Sequence, residues 1–225
     1  MTSSPYQKAI MLNNQGVIQF ENGNYEQARS IFRESLEGIK LSMADQNPNF
    51  RSNGSSKTVG FQWSKHGPLH AELNLPVPAA SSFIFRRALI IVPASDAHSL
   101  ADLPEESTAI IYNLSLAYMI SGYITNCSSL LEKSRKFFEI VVAMRKRRSE
   151  CDKLEGERLL DTAIANNLGW LNEEFCDYSE AQRFFQQVST RLVSLSLSGF
   201  VEQQDCDGFI ANLVLDAHPS MAAAA

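Results

Sequence analysis

Residues 9–36 read AIMLNNQGVIQFENGNYEQARSIFRESL, and this stretch decides the fold, because its small, aromatic and turn residues fall where two packed antiparallel helices need them. Gly16 lets a partner backbone come close, and Gly23-Asn24-Tyr25 supplies a turn. Ala28 and Phe32 stand one helical turn apart and face back across the contact. The stretch is one helical hairpin, extending over residues 5–42. Its second helix is expected to stop between Met43 and Asp45, before Pro48 and an Asn-rich run.

Two later stretches repeat the pattern. Residues 108–147 carry Leu114, Ser115, Tyr118 and Gly122, then Ser134, Phe138 and Val141; residues 158–196 carry Leu168 and Gly169, then Cys176-Asp177-Tyr178, then Ala181 and Phe185. The pairs Ile31-Phe32, Phe137-Phe138 and Phe184-Phe185 recur at one place in each second helix. From the small residue of the first helix to that of the second is 12 residues in the outer copies (Gly16 to Ala28, Gly169 to Ala181) and 19 in the middle one (Ser115 to Ser134). Seven extra residues are close to two helical turns, so they lengthen a hairpin without rotating its apolar face far.

Small residue, Gly-x-Tyr, then Ala-x3-aromatic is the pattern by which the chain resembles the tetratricopeptide (TPR) repeat family. The resemblance implies an all-α fold, a TPR-like helical-hairpin solenoid of about three repeats, since stacked copies together bury what one hairpin cannot. The chain departs from the family at Gln15, Gln19 and Asn172, at Cys176 in place of Gly, and in the uneven spacing of its copies, 99 residues from Gly16 to Ser115 and 54 from Ser115 to Gly169. Insertions account for the excess. Residues 47–81 mix Asn, Ser, Gly and Pro without a lasting apolar period and read as a long mobile loop. Residues 82–93 contain SFIFRRALIIVP, rich in β-formers and closed by Pro93, and read as a strand. Residues 207–216 hold a second short apolar run, expected to pair with that strand in a small two-stranded β pair, since a lone strand leaves its backbone groups unpaired. Residues 217–225 form a tail.

Composition narrows the function. The 225 residues are 44% hydrophobic, enough for a real core, and the net charge is −5. A membrane is not expected as a partner and a nucleic acid is disfavoured, because both would meet a repulsive average surface. No run approaches the roughly 18 apolar residues of a membrane span, and the amino terminus lacks the features of a secretory signal. A cytoplasmic or nuclear location is expected. Cys127, Cys151, Cys176 and Cys206 are widely spaced and read as reduced thiols without a zinc pattern. His66, His70, His98 and His218 form no metal motif, and no phosphate-binding Gly loop or nucleophile elbow is present. No catalytic residue, metal or cofactor is assigned, and the chain is read as a non-enzymatic scaffold.

The TPR resemblance also implies a site: first helices line a concave groove that holds a peptide. Carried over, it assigns Asn13, Asn14 and Val17, then Tyr112, Asn113 and Leu116, then Asn166, Asn167 and Trp170. Asn14, Asn113 and Asn167 recur at one place in each copy, and an amide both donates and accepts, so it can hold a peptide backbone without reading side chains. The competing reading has these amides bonding to neighbouring helices. Of the two Lys, one Arg and two Asn with which TPR co-chaperones grip a terminal carboxylate, only Asn113 matches; the other positions fall on Asn13, Val17, Ala163 and Asn167, which leaves no cation there to hold a carboxylate. With Glu21, Glu173 and Glu174 near the groove, the expected partner is a protein or peptide, neutral to basic, with apolar anchors. Two alternatives stay open: a self-associating structural protein, a homo-oligomer built on exposed repeat ends, and a nuclear factor using the basic run Arg145-Lys146-Arg147-Arg148.

Overall fold

The computed structural model describes residues 4–44, 60–67, 83–92, 103–146 and 154–217. Among them lie seven helices and two strands: α1 (Pro5–Glu21), α2 (Tyr25–Ala44), β1 (Gly60–His66), β2 (Arg87–Val92), α3 (Leu103–Ile124), α4 (Ser128–Arg145), α5 (Glu155–Glu174), α6 (Tyr178–Ser198) and α7 (Gln203–Ala217). The chain divides into two compact units, one of residues 1–73 and 86–145, the other of residues 74–85 and 146–225.

In the first unit α1 packs on α2, α2 on α3 and α3 on α4, while β2 lies against α1 and α3. α1 starts with a capping box: the Ser4 hydroxyl accepts from the Gln7 N–H, and the Gln7 amide oxygen accepts from the Ser4 N–H, so two of the orphan donors of the first turn are satisfied. Ala9, Phe20, Ala28, Phe32 and Ile39 are buried. Gly16 has a packing reason: a Cβ there would stand 2.5 Å from the Phe32 ring. In the second unit α5 packs on α6 and α6 on α7. The same contact recurs, a Cβ on Gly169 standing 2.6 Å from the Phe185 ring.

The three hairpins turn alike. Asn24, Cys127 and Asp177 each donate their N–H five residues back, to Gln19, Gly122 and Asn172, at 2.8–2.9 Å. The residue before each donor, Gly23, Asn126 or Cys176, has a positive φ of 77°, 50° or 59°. This is the left-handed helix stop in which a carbonyl near the helix end is satisfied from beyond the turn. Measured from the turn, the seven extra residues of the middle hairpin divide. Asn113 stands 13 residues before Asn126, against 9 from Asn14 to Gly23 and from Asn167 to Cys176. Ser134 stands 8 after its turn, against 5 for Ala28 and Ala181. About one helical turn is added on each side, so the apolar phase is kept. Ser134 then donates to the Ser115 carbonyl at 2.8 Å, as Ser35 does to Ala9 at 2.7 Å in the first hairpin.

Three expectations are corrected. Residues 207–216 are not a strand but part of α7. Cys206, Phe209 and Asn212 are buried at helical spacing while Asp207, Ile210 and Val214 are exposed, and a short apolar run alone does not separate strand from helix. The partner of β2 is instead β1, antiparallel, with Gly60 opposite Val92, Gln62 opposite Ile90 and a register irregularity between Trp63 and His66. β1 lies inside the range read as a mobile loop, 47–81, because Phe61 and Trp63 are too few to mark an alternation among Gly, Ser and Lys; the rest of that range lies outside the described residues. The strand read at 82–93 is a ladder only over Arg87–Val92, with residues 83–86 continuing ahead of it outside regular structure. Of the tail, Ala217 ends α7, and residues 218–225 lie outside the described residues.

A candidate peptide-backbone site built from asparagines

α1 and α3 each bring an asparagine to the edge of β2 that β1 leaves free. The Asn14 amide oxygen accepts the Ile91 N–H at 2.9 Å, and its nitrogen donates to the Ile91 carbonyl at 2.9 Å. Asn113 makes the same pair of bonds to Leu89, at 2.7 and 2.8 Å. In an antiparallel strand the N–H and C=O of alternate residues point to the same edge. The side-chain amides therefore act as a substitute strand along the odd-numbered edge, while Val92 and Ile90 face β1. Asn13 reinforces the arrangement, donating to the Leu89 carbonyl at 3.0 Å and accepting from Asn113 at 2.9 Å. The Tyr112 hydroxyl donates to the Arg87 carbonyl at 3.0 Å.

The second unit repeats this scheme on residues 83–85. Asn167 accepts the Phe85 N–H and donates to the Phe85 carbonyl, both at 3.0 Å. Asn212, on α7, accepts the Phe83 N–H at 2.6 Å and donates to its carbonyl at 2.7 Å. Asn166 takes the part of Asn13: it donates to the Phe83 carbonyl at 3.0 Å and accepts from Asn212 at 2.7 Å. Each unit thus holds two residues, two apart in sequence, with an Asn-Asn pair on one helix and a single Asn on another.

Of the nine residues assigned from the resemblance, Asn13, Asn14, Tyr112, Asn113, Asn166 and Asn167 bond to residues 83–91 of this same chain. Val17, Leu116 and Trp170 are buried core residues, at 1%, 0% and 2% exposure. The positions read as facing a foreign peptide are thus taken up by the protein's own backbone. The reason is physical: an extended segment buried beside helices must have its N–H and C=O groups satisfied, and the amides do so. Asn212 was missed, because residues 207–216 read as a strand. The pair Asn-Leu at Asn113-Leu114 and Asn167-Leu168 recurs at Asn212-Leu213, but also at Asn74-Leu75, so it does not by itself mark a helix.

Side chains fill the space around the amides. Trp63 meets the Tyr112 ring edge-on at 6.0 Å, and Phe209 stacks on Phe85 at 5.6 Å and meets Phe83 edge-on at 5.5 Å. Outside the site, a cavity of about 650 Å³ lies at the hairpin tips, lined by residues including Asn24, Arg29, Ser121 and Thr125, with the Arg29 guanidinium 5.1 Å from the Tyr118 ring centre. In the basic run, Arg145 is buried and Lys146 exposed; Arg147 and Arg148 lie outside the described residues. Among the described residues no cluster of His, Cys, Asp and Glu forms a metal site, and no helix is long and apolar enough to cross a membrane. The Cys127 thiol is held below its usual pKa, chiefly by its hydrogen bond with Ser129.

No protein-family model matches this chain, and no curated protein or solved structure does so.

Proposed function

We propose that this chain is a non-enzymatic protein-binding scaffold of TPR-like hairpins that grips extended peptide by its backbone, with its own residues 87–91 the occupant in the first unit and residues 83–85 that in the second. One observation carries the reading: Asn14, Asn113, Asn167 and Asn212 each bond to both the N–H and the C=O of a single residue. Such amides recognise strand geometry and leave side chains free to set selectivity. A partner segment, neutral to basic with apolar anchors, would take over these bonds by exchange. The test is capture from native lysate by the wild type and by a variant with Asn14, Asn113 and Asn167 all replaced by Ala and shown to be folded. Captured proteins are then rebound as synthetic peptides. A peptide held by the wild type and lost by the variant supports the reading; equal binding to both refutes it.

A further inference from the structure

Within the first unit, the tips of the first two hairpins surround a cavity of about 650 Å³, walled by the start of α2, the end of α3 and Leu130 of α4. We infer that this cavity binds a small organic phosphomonoester, at a site separate from the asparagine clips. Its volume falls in the ordinary range of ligand sites and far exceeds that of a bare phosphate. The ligand therefore carries an organic body.

The groups at the start of α2 favour an anion. A helix cannot pair the N–H groups of its first turn internally. Tyr25 donates instead to the Gly23 carbonyl and Ala28 to that of Asn24. Between them lie the N–H groups of Glu26 and Gln27, and both residues line the cavity. Asn24, at the cap position, gives its side-chain amide to Gln19 at 2.9 Å. At such a terminus the amides and the helix dipole together stabilise negative charge.

One turn further on, the Arg29 guanidinium is held over the Tyr118 ring at 5.1 Å, and the Lys133 nitrogen stands 6.0 Å from the same ring. Among the described residues, the other partner of Arg29 is Glu26, at 4.0 Å, the one acid in the lining. That carboxylate is 93% exposed, so solvent screens the pair and the guanidinium keeps donors for a ligand.

A ligand is called for by Ser121. It lines the cavity and is 8% exposed, and its buried Oγ has no hydrogen-bond partner among the described residues. A buried hydroxyl left unpaired costs free energy, so the fold alone does not account for it. Thr125 beside it is paired, donating to the Ser121 carbonyl at 2.7 Å. A phosphate group, with three terminal oxygens against the two of a carboxylate, matches Ser121, Arg29 and the α2 turn together. Ile124 and Leu130 give the organic body an apolar wall.

The test uses the full chain and amide NMR spectra, titrated with phenyl phosphate, inorganic phosphate and phenol. Phenyl phosphate should shift the Glu26, Gln27 and Ser121 amides, saturating in the millimolar range, and should bind at least tenfold more tightly than either other probe. Arg29→Gln should weaken it at least tenfold. Ser121→Ala should weaken it several-fold while leaving the unfolding midpoint unchanged or higher, because the hydroxyl has no partner to lose. Absence of shifts at these amides at tens of millimolar overturns the inference, as does an unaltered affinity in Ser121→Ala. Equal binding of inorganic phosphate would mean an adventitious ion only, and equal binding of phenol an apolar contact only; either overturns it. A lower midpoint in Ser121→Ala would give the hydroxyl a role in the fold and overturn it as well. Should Arg29→Gln not fold, Ser121→Ala decides alone.

Discussion

The side-chain amide of Asn167 makes two bonds to one residue, accepting the N–H of Phe85 and donating to its carbonyl, both at 3.0 Å. Phe85 is fully buried and precedes the β2 ladder, so no neighbouring strand supplies these bonds. Asn167→Ala should therefore accelerate exchange of the Phe85 amide while leaving that of Ile91, held by Asn14, unchanged. Residue-resolved hydrogen exchange checks this. Equal acceleration at both would mean that the two clips do not act separately.

Asn113→Ala leaves the Leu89 N–H buried without its acceptor, whereas the Leu89 carbonyl keeps a donor in Asn13. An unsatisfied buried donor costs about 1–3 kcal/mol. Denaturant unfolding should show that loss, and a null effect would mean that water reaches this edge of β2.

Ala28 and Ala181 are buried where second helices press on first ones. Ala28→Leu or Ala181→Leu should overpack the contact and cost about 1–3 kcal/mol. Unchanged unfolding midpoints would place the hairpin contact elsewhere.

Cys176 sits at a φ of 59°, where the first hairpin has Gly23. A left-handed conformation costs a residue with a Cβ roughly 1–2 kcal/mol, so Cys176→Gly should stabilise the protein by about 1 kcal/mol and raise its melting temperature. A fall would show that the thiol contributes more than its backbone strain takes away.

The Ser129 hydrogen bond lowers the Cys127 pKa, and Cys127 is partly exposed while Cys206 is buried. A lowered thiol pKa means more thiolate at a given pH. Alkylation should label Cys127 before Cys206, and Ser129→Ala should move the pH midpoint of Cys127 labelling upward. Mass spectrometry across a pH series reads both.

The hairpins were legible in the sequence because their signals are local. Gly16 and Phe32, or Gly169 and Phe185, lie within two helices of one turn, and a period of 3.6 exposes them. The recurring amides at Asn14, Asn113 and Asn167 were legible too. What they hold was not, since Asn14 and Ile91 are 77 residues apart and a bond from a side chain to a backbone leaves no mark on the identity of the residue it holds. β1 escaped for the opposite reason: its ladder with β2 is a backbone property, and Phe61 and Trp63 alone carry too little pattern to reveal it. α7 was misread because Ile210 and Val214 are β-branched, whereas its buried stripe, Cys206, Phe209 and Asn212, includes two residues that do not look like core.

Because the four clips engage only peptide groups, they constrain the gripped segment in an unusual way. Any residue that keeps an N–H can occupy positions 83, 85, 89 and 91 without losing an amide bond, and surrounding space alone decides its size. Proline is the exception, having no N–H to give. The rule the amides impose on this segment is thus a prohibition, four places where one residue type is barred, rather than a motif to be matched.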